Sequence, residues 1–410
     1  MTVVDSLAVP RVLVAESDPW VRDLLKQVVL SVRCDARLQL CAEGQQGIAL
    51  LDKQDYDLII ADADLPGVRG LDLLRVVRQR RRIPLLPFIL LSNRSDSASV
   101  REALPLAPTA YLTKPLDIGG LTRRLEALLV GAGQTISCDG PVLAPGITLD
   151  RFLTQQRGSS DGAPLWVDVR AAIKRSLTPT GLDLALLERE VQPDPQVTAV
   201  LIAAANSAAH HRASPAQTLA QALQGLGAAQ SMNLVLGLTL KGSAQLSDPC
   251  LADYAERQWS VSRRTAEYGR RLASQLNLDH ERCYCAGLLH RLGDLALLRC
   301  LQEWRLAGGE LDTQQIDESL AKFGAAYGSA LRTRWRLPLE LRELIAAAYH
   351  LGGGVYSREA LVMNLVTQVA LLEPDEGHAL MALANSKTAR LLRVGESELS
   401  RLINTEQSAV

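Results

Sequence analysis

From residue 10 to about 130, short apolar runs alternate with stretches of helical period. Arg11-Val-Leu-Val-Ala15 leads into Glu16-Ser17-Asp18, and Trp20 to Val29 then repeats its apolar residues at helical spacing. Leu58-Ile-Ile-Ala61 closes on Asp62, and Gly70 to Val77 follows with the same period. Two further runs, Pro87 to Ser92 and Ala110 to Thr113, end at Ser92 and just before Lys114-Pro115. Strand followed by helix, repeated, predicts a parallel sheet covered on both faces. Such sheets bind ligands beyond the carboxyl ends of their strands. The distant positions Glu16, Asp62, Ser92 and Lys114 are therefore predicted to share one site.

The rhythm fails between about 131 and 164, where Gly131-Ala-Gly133, Cys138-Asp-Gly-Pro141 and Arg157-Gly-Ser-Ser-Asp-Gly162 read as a linker. From Trp166 onward nearly everything has helical period, with turns at Leu177-Thr-Pro-Thr-Gly181 and Gln192-Pro-Asp-Pro195. The expected architecture is an α/β doubly wound domain at 1–130, a linker at 131–164 and an all-α domain at 165–404. A length of 410 residues suits two cores better than one.

Composition narrows the function classes. Basic and acidic residues number 44 and 45, so no global field points to nucleic acid or an anionic membrane. No helix-turn-helix and no basic stripe mark the helical half, and direct DNA binding is not expected. Arg78 to Arg82 forms a local basic patch, read as a solvated helix end. The seven cysteines (34, 41, 138, 250, 283, 285 and 300) lack a repeated Cys-x-x-Cys spacing and fit a reducing compartment better than a disulfide framework. No apolar stretch reaches the roughly 18 to 20 residues that span a bilayer, and no basic segment precedes an apolar core at the start. A cytoplasmic protein without a signal peptide is the expectation.

A carboxylate that accepts a phosphoryl group needs a divalent cation to offset oxygen charge, a second acid to hold that cation, and a lysine to stabilise the acyl phosphate. Asp62, the acids at 16 to 18, and Lys114 supply these parts. The plainer reading has Asp62 capping its turn and Lys114 as a solvated charge; the matching strand ends favour the site. On these residues, positions 10 to 130 resemble the receiver domains of two-component response regulators. The resemblance implies Asp62 as phosphoacceptor, an acidic Mg2+ pocket of Glu16, Asp18 and Asp62, Ser92 as the hydroxyl switch and Tyr111 as the aromatic switch. It also implies Lys114 as the phosphate-sensing lysine, followed by a cis-capable Pro115, and a sensor histidine kinase or other phosphodonor as partner. One departure is clear. The family usually places two adjacent acids after the first strand, and here the second is Ser17. Mg2+ is then expected to bind weakly, with Asp18 having to shift to compensate. A pseudo-receiver acting as a constitutive interaction module is the rival reading.

In the helical half, Asn206-Ser207-Ala208, then Ala286-Gly-Leu-Leu-His290-Arg291-Leu-Gly-Asp294, then Arg334-Trp335-Arg336-Leu-Pro338 with Tyr349-His350 follow in order. That order resembles the HDOD domain, an all-helical relative of the HD-family metal phosphohydrolases, across about 165 to 355. A hydrolase of that kind needs a His-Asp pair and further histidines. The pair position here reads His290-Arg291, and a guanidinium repels a cation. His290 and Asp294, four apart, are expected to share a helix face and with His350 to form the remnant of the site. No metal and no catalysis are expected in this half; the resemblance implies an output domain that binds a downstream signalling protein, with a homodimer also compatible. A metal-dependent cyclic-nucleotide phosphodiesterase is the enzymatic rival. Asn206 is read as a helix cap, Trp335 as a packed corner, and His210-His211 as a helix terminus.

Overall fold

The computed structural model describes residues 9–80, 82–94, 97–114, 116–130, 143–160, 162–178, 181–207, 214–239, 245–352, 355–372 and 377–404. Pro115, Cys138 and His210-His211 lie outside them. The chain forms two compact units. The first comprises Met1–Asp139 with Ala229–Gly242, and the second Gly140–Ala228 with Ser243–Val410.

The first unit runs β1 (Arg11–Ala15), α1 (Pro19–Val32), β2 (Arg37–Cys41), α2 (Gly44–Leu51), β3 (Leu58–Asp62), α3 (Gly70–Gln79), β4 (Phe88–Ser92), α4 (Ser97–Ala103), β5 (Ala110–Thr113) and α5 (Ile118–Leu129). The five strands are parallel in the order β2-β1-β3-β4-β5. Because side chains alternate along a strand, Val12, Val14, Leu58, Ile60, Ile89 and Leu91 enter one core with α1 and α5. Leu13, Ala15, Ile59, Ala61, Phe88 and Leu90 enter a second core with α3. Burial on both faces is why these strands read as continuous apolar runs. The expected doubly wound fold is present.

Two local features place the strand ends. Asp18 caps α1, its Oδ1 accepting the amides of Trp20 (2.8 Å) and Val21 (3.3 Å), with Pro19 as the first helical residue. Gly70 starts α3 so close to β3 that an added Cβ would stand 2.0 Å from the carbonyl oxygen of Asp62. The arginine patch is not a solvated helix end. Arg78 donates to the carbonyls of Leu86, Leu106 and Ala107 at 2.8–2.9 Å, Arg80 donates to the Leu51 carbonyl and Asp52, and Arg82 to the Tyr56 carbonyl. These side chains satisfy loop carbonyls that the sheet leaves open.

The second half contains α6 (Leu149–Gln156), α7 (Val169–Ser176), the short strands β6 (Leu177–Thr178) and β7 (Gly181–Leu182), α8 (Leu184–Val191), α9 (Pro195–Ala205) and α10 (Leu219–Thr239). It continues with α11 (Pro249–Gln275), α12 (His280–Leu289), α13 (Leu292–Leu306), α14 (Thr313–Arg334), α15 (Leu339–Tyr349), α16 (Arg358–Ala370), α17 (Gly377–Ala384), α18 (Lys387–Leu392) and α19 (Glu396–Asn404). Three details differ from the sequence expectation. The stretch read as linker holds α6, whose Phe152 packs on Trp304 (5.4 Å between rings) and whose Leu153 carbonyl accepts the Tyr327 hydroxyl at 2.7 Å. The turn at 177–181 is an antiparallel hairpin rather than a bare break. And α10 is interrupted at Gly227 (φ 74°), its residues from Ala229 grouping with the first unit.

Asp194, read only as part of a Pro-rich turn, is a fully buried cap of α9. It accepts amide protons from Val197 (2.9 Å), Trp166 (2.6 Å) and Val167 (3.1 Å), tying the segment before α7 to the core. Burial pushes its carboxyl above the usual range, while the backbone donors pull the other way. Cys34 is disulfide-bonded, so the reading against disulfides does not extend to it; Cys41, Cys250, Cys283, Cys285 and Cys300 are free thiols. Among the described residues no helix is long and apolar enough to cross a membrane.

Candidate functional site

The carboxyl ends of β1 and β3 are neighbours where the strand order reverses, the usual ligand position of such sheets, and Lys114 beyond β5 reaches them. There Lys114 Nζ lies 2.7 Å from Glu16 Oε2 and 2.7 Å from Asp62 Oδ2. Both carboxylates are buried, at 0 % and 3 % exposure. Asp62 Oδ1 accepts the Asp64 amide at 3.1 Å and Glu16 Oε1 that of Asp18 at 2.9 Å. Burial raises the Glu16 carboxyl to about 7, against the pull of Lys114 and with a further push from Asp62. Burial alone would lower the Lys114 ammonium, but the two carboxylates outweigh it and hold it above the ordinary lysine range.

Asp18 does not join this pocket with its side chain, because Oδ1 is committed to the α1 cap. Ser17 is exposed, and Arg22 of α1 donates to the carbonyls of Glu16 and Ser17. The acidic pocket predicted from Glu16, Asp18 and Asp62 therefore contracts to Glu16 and Asp62. Two carboxylates fit a small hard cation that keeps several waters.

Ser92 and Tyr111 meet through a residue that sequence reading passed over. Ser92 Oγ, buried at the end of β4, accepts the Arg94 amide at 3.0 Å, and the Tyr111 hydroxyl donates to the Arg94 carbonyl at 2.8 Å. The Lys114 amide donates to the Ser92 carbonyl at 2.8 Å. One peptide segment thus carries both predicted switch residues.

In the helical half the predicted remnant is arranged otherwise. His290 ends α12 and Arg291 caps α13, so His290 and Asp294 sit on successive helices and do not share one helix face. His290 is fully buried, with Nδ1 2.6 Å from the Gly287 carbonyl. Burial drives its ring down to about 3, helped by Arg291 and Arg332, and it stays neutral. Asp294 is paired with Arg291 at 3.1 Å. His350 is an exposed cap at the end of α15; Tyr349 reaches the cluster in its place, donating to the His290 carbonyl, with the two rings 6.0 Å apart. Among the described residues no three His, Cys, Asp or Glu side chains gather as a metal site. Asn206 caps α9 and also clasps Ala216 at 2.8 Å in both directions, the structural role expected for it.

Comparison with known families places these two halves. The response regulator receiver domain family matches residues 12–126, and the HDOD domain family matches residues 163–351. The chain joins a response regulator receiver domain to an HDOD domain. Among curated relatives, the transcriptional regulatory protein AfsQ1 of Streptomyces coelicolor is 35 % identical over 120 residues, 29 % of this chain and 51 % of that one. The response regulator ArlR of Staphylococcus aureus is 33 % identical over 109 residues, 27 % of this chain and 47 % of that one. The chain thus spans about half the length of these relatives. Among solved structures, the receiver domain of an HD domain-containing protein from Pseudomonas fluorescens Pf-5 is 28 % identical, covering 30 % of this chain and 95 % of that chain, with a TM-score of 0.27.

With the families in place, the sequence positions sort cleanly. The receiver brings Glu16, Asp62 and Lys114 into direct contact and links Ser92 to Tyr111. The HDOD half brings His290, Arg291 and Asp294 near one another but leaves His350 outside. It also recruits Tyr349, quoted in the sequence beside His350, and Arg332, which no local sequence pattern announced.

Proposed function

We propose that phosphorylation of Asp62 in the receiver controls a non-catalytic, partner-binding HDOD domain. The observation that supports this most is the double contact of Lys114 with Glu16 and Asp62 at 2.7 Å. A lone pair of an Asp62 carboxylate oxygen attacks the phosphorus of a phosphodonor such as a histidine kinase, the donor's bond to phosphorus breaks, and the donor leaves with that electron pair. Lys114 is placed to offset the charge on the new acyl phosphate. Glu16 and Asp62 would hold Mg2+, which would supply further charge neutralisation. Ser92 then turns its hydroxyl from the Arg94 amide toward the phosphoryl oxygens, and Tyr111 loses its anchor on the same residue. Population shift between those two arrangements is the proposed signal.

Arg291 supports a binding role over hydrolysis, because its guanidinium already neutralises Asp294 at the position where a metal phosphohydrolase needs a ligand. The test is Mg2+-dependent labelling of the full chain by acetyl phosphate, read by intact mass, with Asp62→Ala beside it. One phosphoryl adduct, absent from Asp62→Ala, is expected. No adduct at saturating Mg2+ would overturn the switch in favour of constitutive binding. The same protein should leave cyclic nucleotides intact, with or without added divalent metal.

A further inference from the structure

Against the sequence expectation, the HDOD half carries a short basic stripe. It lies on α11, whose Thr265, Ala266, Tyr268, Gly269 and Leu272 are buried. The opposite face holds Arg263, Arg264, Glu267, Arg270 and Arg271, spaced three or four residues apart and so aligned along one side of the helix. Arg263 is exposed, and among the described residues neither it nor Arg264 forms an ion pair.

The stripe ends in a cavity of about 550 Å³ between α11, the start of α12 and α19. Arg270 and Arg271 line it together with His280, Glu281 and Arg401. Arg270 is held in place, lying over the Tyr284 ring at 3.8 Å with its Nε 3.1 Å from Glu281 Oε1. Arg271 Nε pairs with Glu267 Oε1 at 2.8 Å, while its Nη1 has no hydrogen-bond partner. Glu188 of α8 adds a third carboxylate, which burial and Glu281 push up and Arg270 pulls down. The five guanidiniums of Arg263, Arg264, Arg270, Arg271 and Arg401 outnumber these three carboxylates. Arg270 and Arg271, fixed by their acids, present pre-positioned forks to a planar anion.

We propose that this face of the HDOD domain docks an acidic segment of the downstream partner protein, with one carboxylate on Arg263 and Arg264 and another in the cavity at Arg270, Arg271 and Arg401. The assignment names the chemistry of the partner and rests on the reading of the HDOD half as a binding module. Seven residues of helix separate the two arginine pairs, a rise of about 10 Å. An extended peptide covers that distance in about three residues, so acids at every third position match the stripe. A nucleic acid matches it less well. Its phosphates follow one another at about 1.7 Å along a duplex axis, and Glu267 stands between the two arginine pairs.

The experiment is fluorescence anisotropy on the full chain at physiological salt, with a fluorescein-labelled peptide carrying glutamate at every third position. Its glutamine counterpart and a single-stranded oligonucleotide of equal charge serve as controls. Saturable binding of the glutamate peptide alone is expected. Arg263→Gln and Arg401→Gln, one at each end of the site, should each raise the dissociation constant about tenfold, the effect of losing one charge-assisted contact. Arg263→Gln should keep the parent Tm, because that side chain is exposed and pairs with no acid of the fold. Arg101→Gln, the same charge change at an exposed receiver position, should leave binding unchanged. Asp62→Ala should bind as the parent does, so the control by phosphorylation stands or falls separately, on the acetyl phosphate labelling. The proposal is overturned if no probe binds, if the glutamine peptide binds equally, or if the oligonucleotide binds more tightly than the glutamate peptide. Parent-like binding by the Arg263→Gln/Arg401→Gln double variant, or an equal loss in Arg101→Gln, would also overturn it.

Discussion

The receiver pocket and the HDOD cluster are both buried constellations of charge, and they are unbalanced in opposite directions. In the first, two carboxylates share one lysine, leaving negative charge and a fit for a cation. In the second, Arg291 takes the one carboxylate, Asp294, and Arg332 acts on His290 with no ion pair among the described residues, leaving positive charge. The contrast turns on few residues: Ser17 removes one acid from the receiver, and Arg291 stands where an HD-type site would keep an acid. Both domains use helix and strand ends for their polar groups, yet the sign of each site is set by which partner is missing.

The largest expected effect comes from taking away the one cation in the acidic pocket. Lys114→Met should cost about 3 kcal/mol of receiver stability at pH 8, since breaking a buried pair strands its partners. The loss should shrink toward pH 5. In the parent Glu16, held up near 7, is ionised at pH 8 and neutral at pH 5, so at pH 5 Lys114 has only the Asp62 charge to offset. Urea unfolding of the variant and parent at both pH values checks this; a pH-independent difference would mean that the charge pairing is not what Lys114 contributes. Gly70→Ala should come next, at about 2 kcal/mol, because the new methyl overlaps the Asp62 carbonyl and α3 must retreat. Slower acetyl phosphate labelling should accompany it, as β3 shifts with its terminal Asp62.

The HDOD side of the comparison has its own pH signature. His290 is depressed to about 3 in the fold, against an ordinary value near 6.5, so between those values the unfolded chain binds the extra proton. Stability is complete above pH 6.5 and declines as pH falls below it, by about 2 kcal/mol between pH 7 and pH 5. His290→Gln should flatten that decline in a denaturant series. An unchanged slope would place the acid sensitivity elsewhere.

Much of this was legible before the structure, and the exceptions share a cause. Strands β1, β3 and β4 stood out because burial on both faces makes them apolar throughout, and β5, at the other edge, through Ala110, Tyr111 and Leu112. The edge strand β2 did not, since of Arg37 to Cys41 only Cys41 is buried. Glu16, Asp62 and Lys114 were readable from strand ends alone. Asp18 was misplaced because Asp followed by Pro is itself a helix-start signal, and capping took the carboxylate first. His290 and Asp294 failed for a related reason: a spacing of four implies a shared face only if the helix is continuous, and it breaks at Arg291. Arg332 carries no local signature, because the packing of α14 brings it to His290 across tens of residues. Arg78 looked solvated because carbonyl partners from distant loops leave no trace in sequence.

The smallest predicted effect tests the contrast most directly. Ser17→Asp restores the missing acid beside Glu16 without touching Lys114 or the α1 cap, and Ser17 is exposed, so the fold should tolerate it. If the lost carboxylate is what weakens the cation site, the Mg2+ concentration for half-maximal acetyl phosphate labelling should fall about tenfold. Unlabelled stability in metal-free buffer should drop slightly at the same time, because a third acid joins two that already repel. Labelling and denaturation measured on the same variant separate these opposing terms. A Mg2+ requirement that does not move would mean that water serves the cation as well as the missing carboxylate would, and that Ser17 changes the charge of the pocket without changing its readiness for the ion.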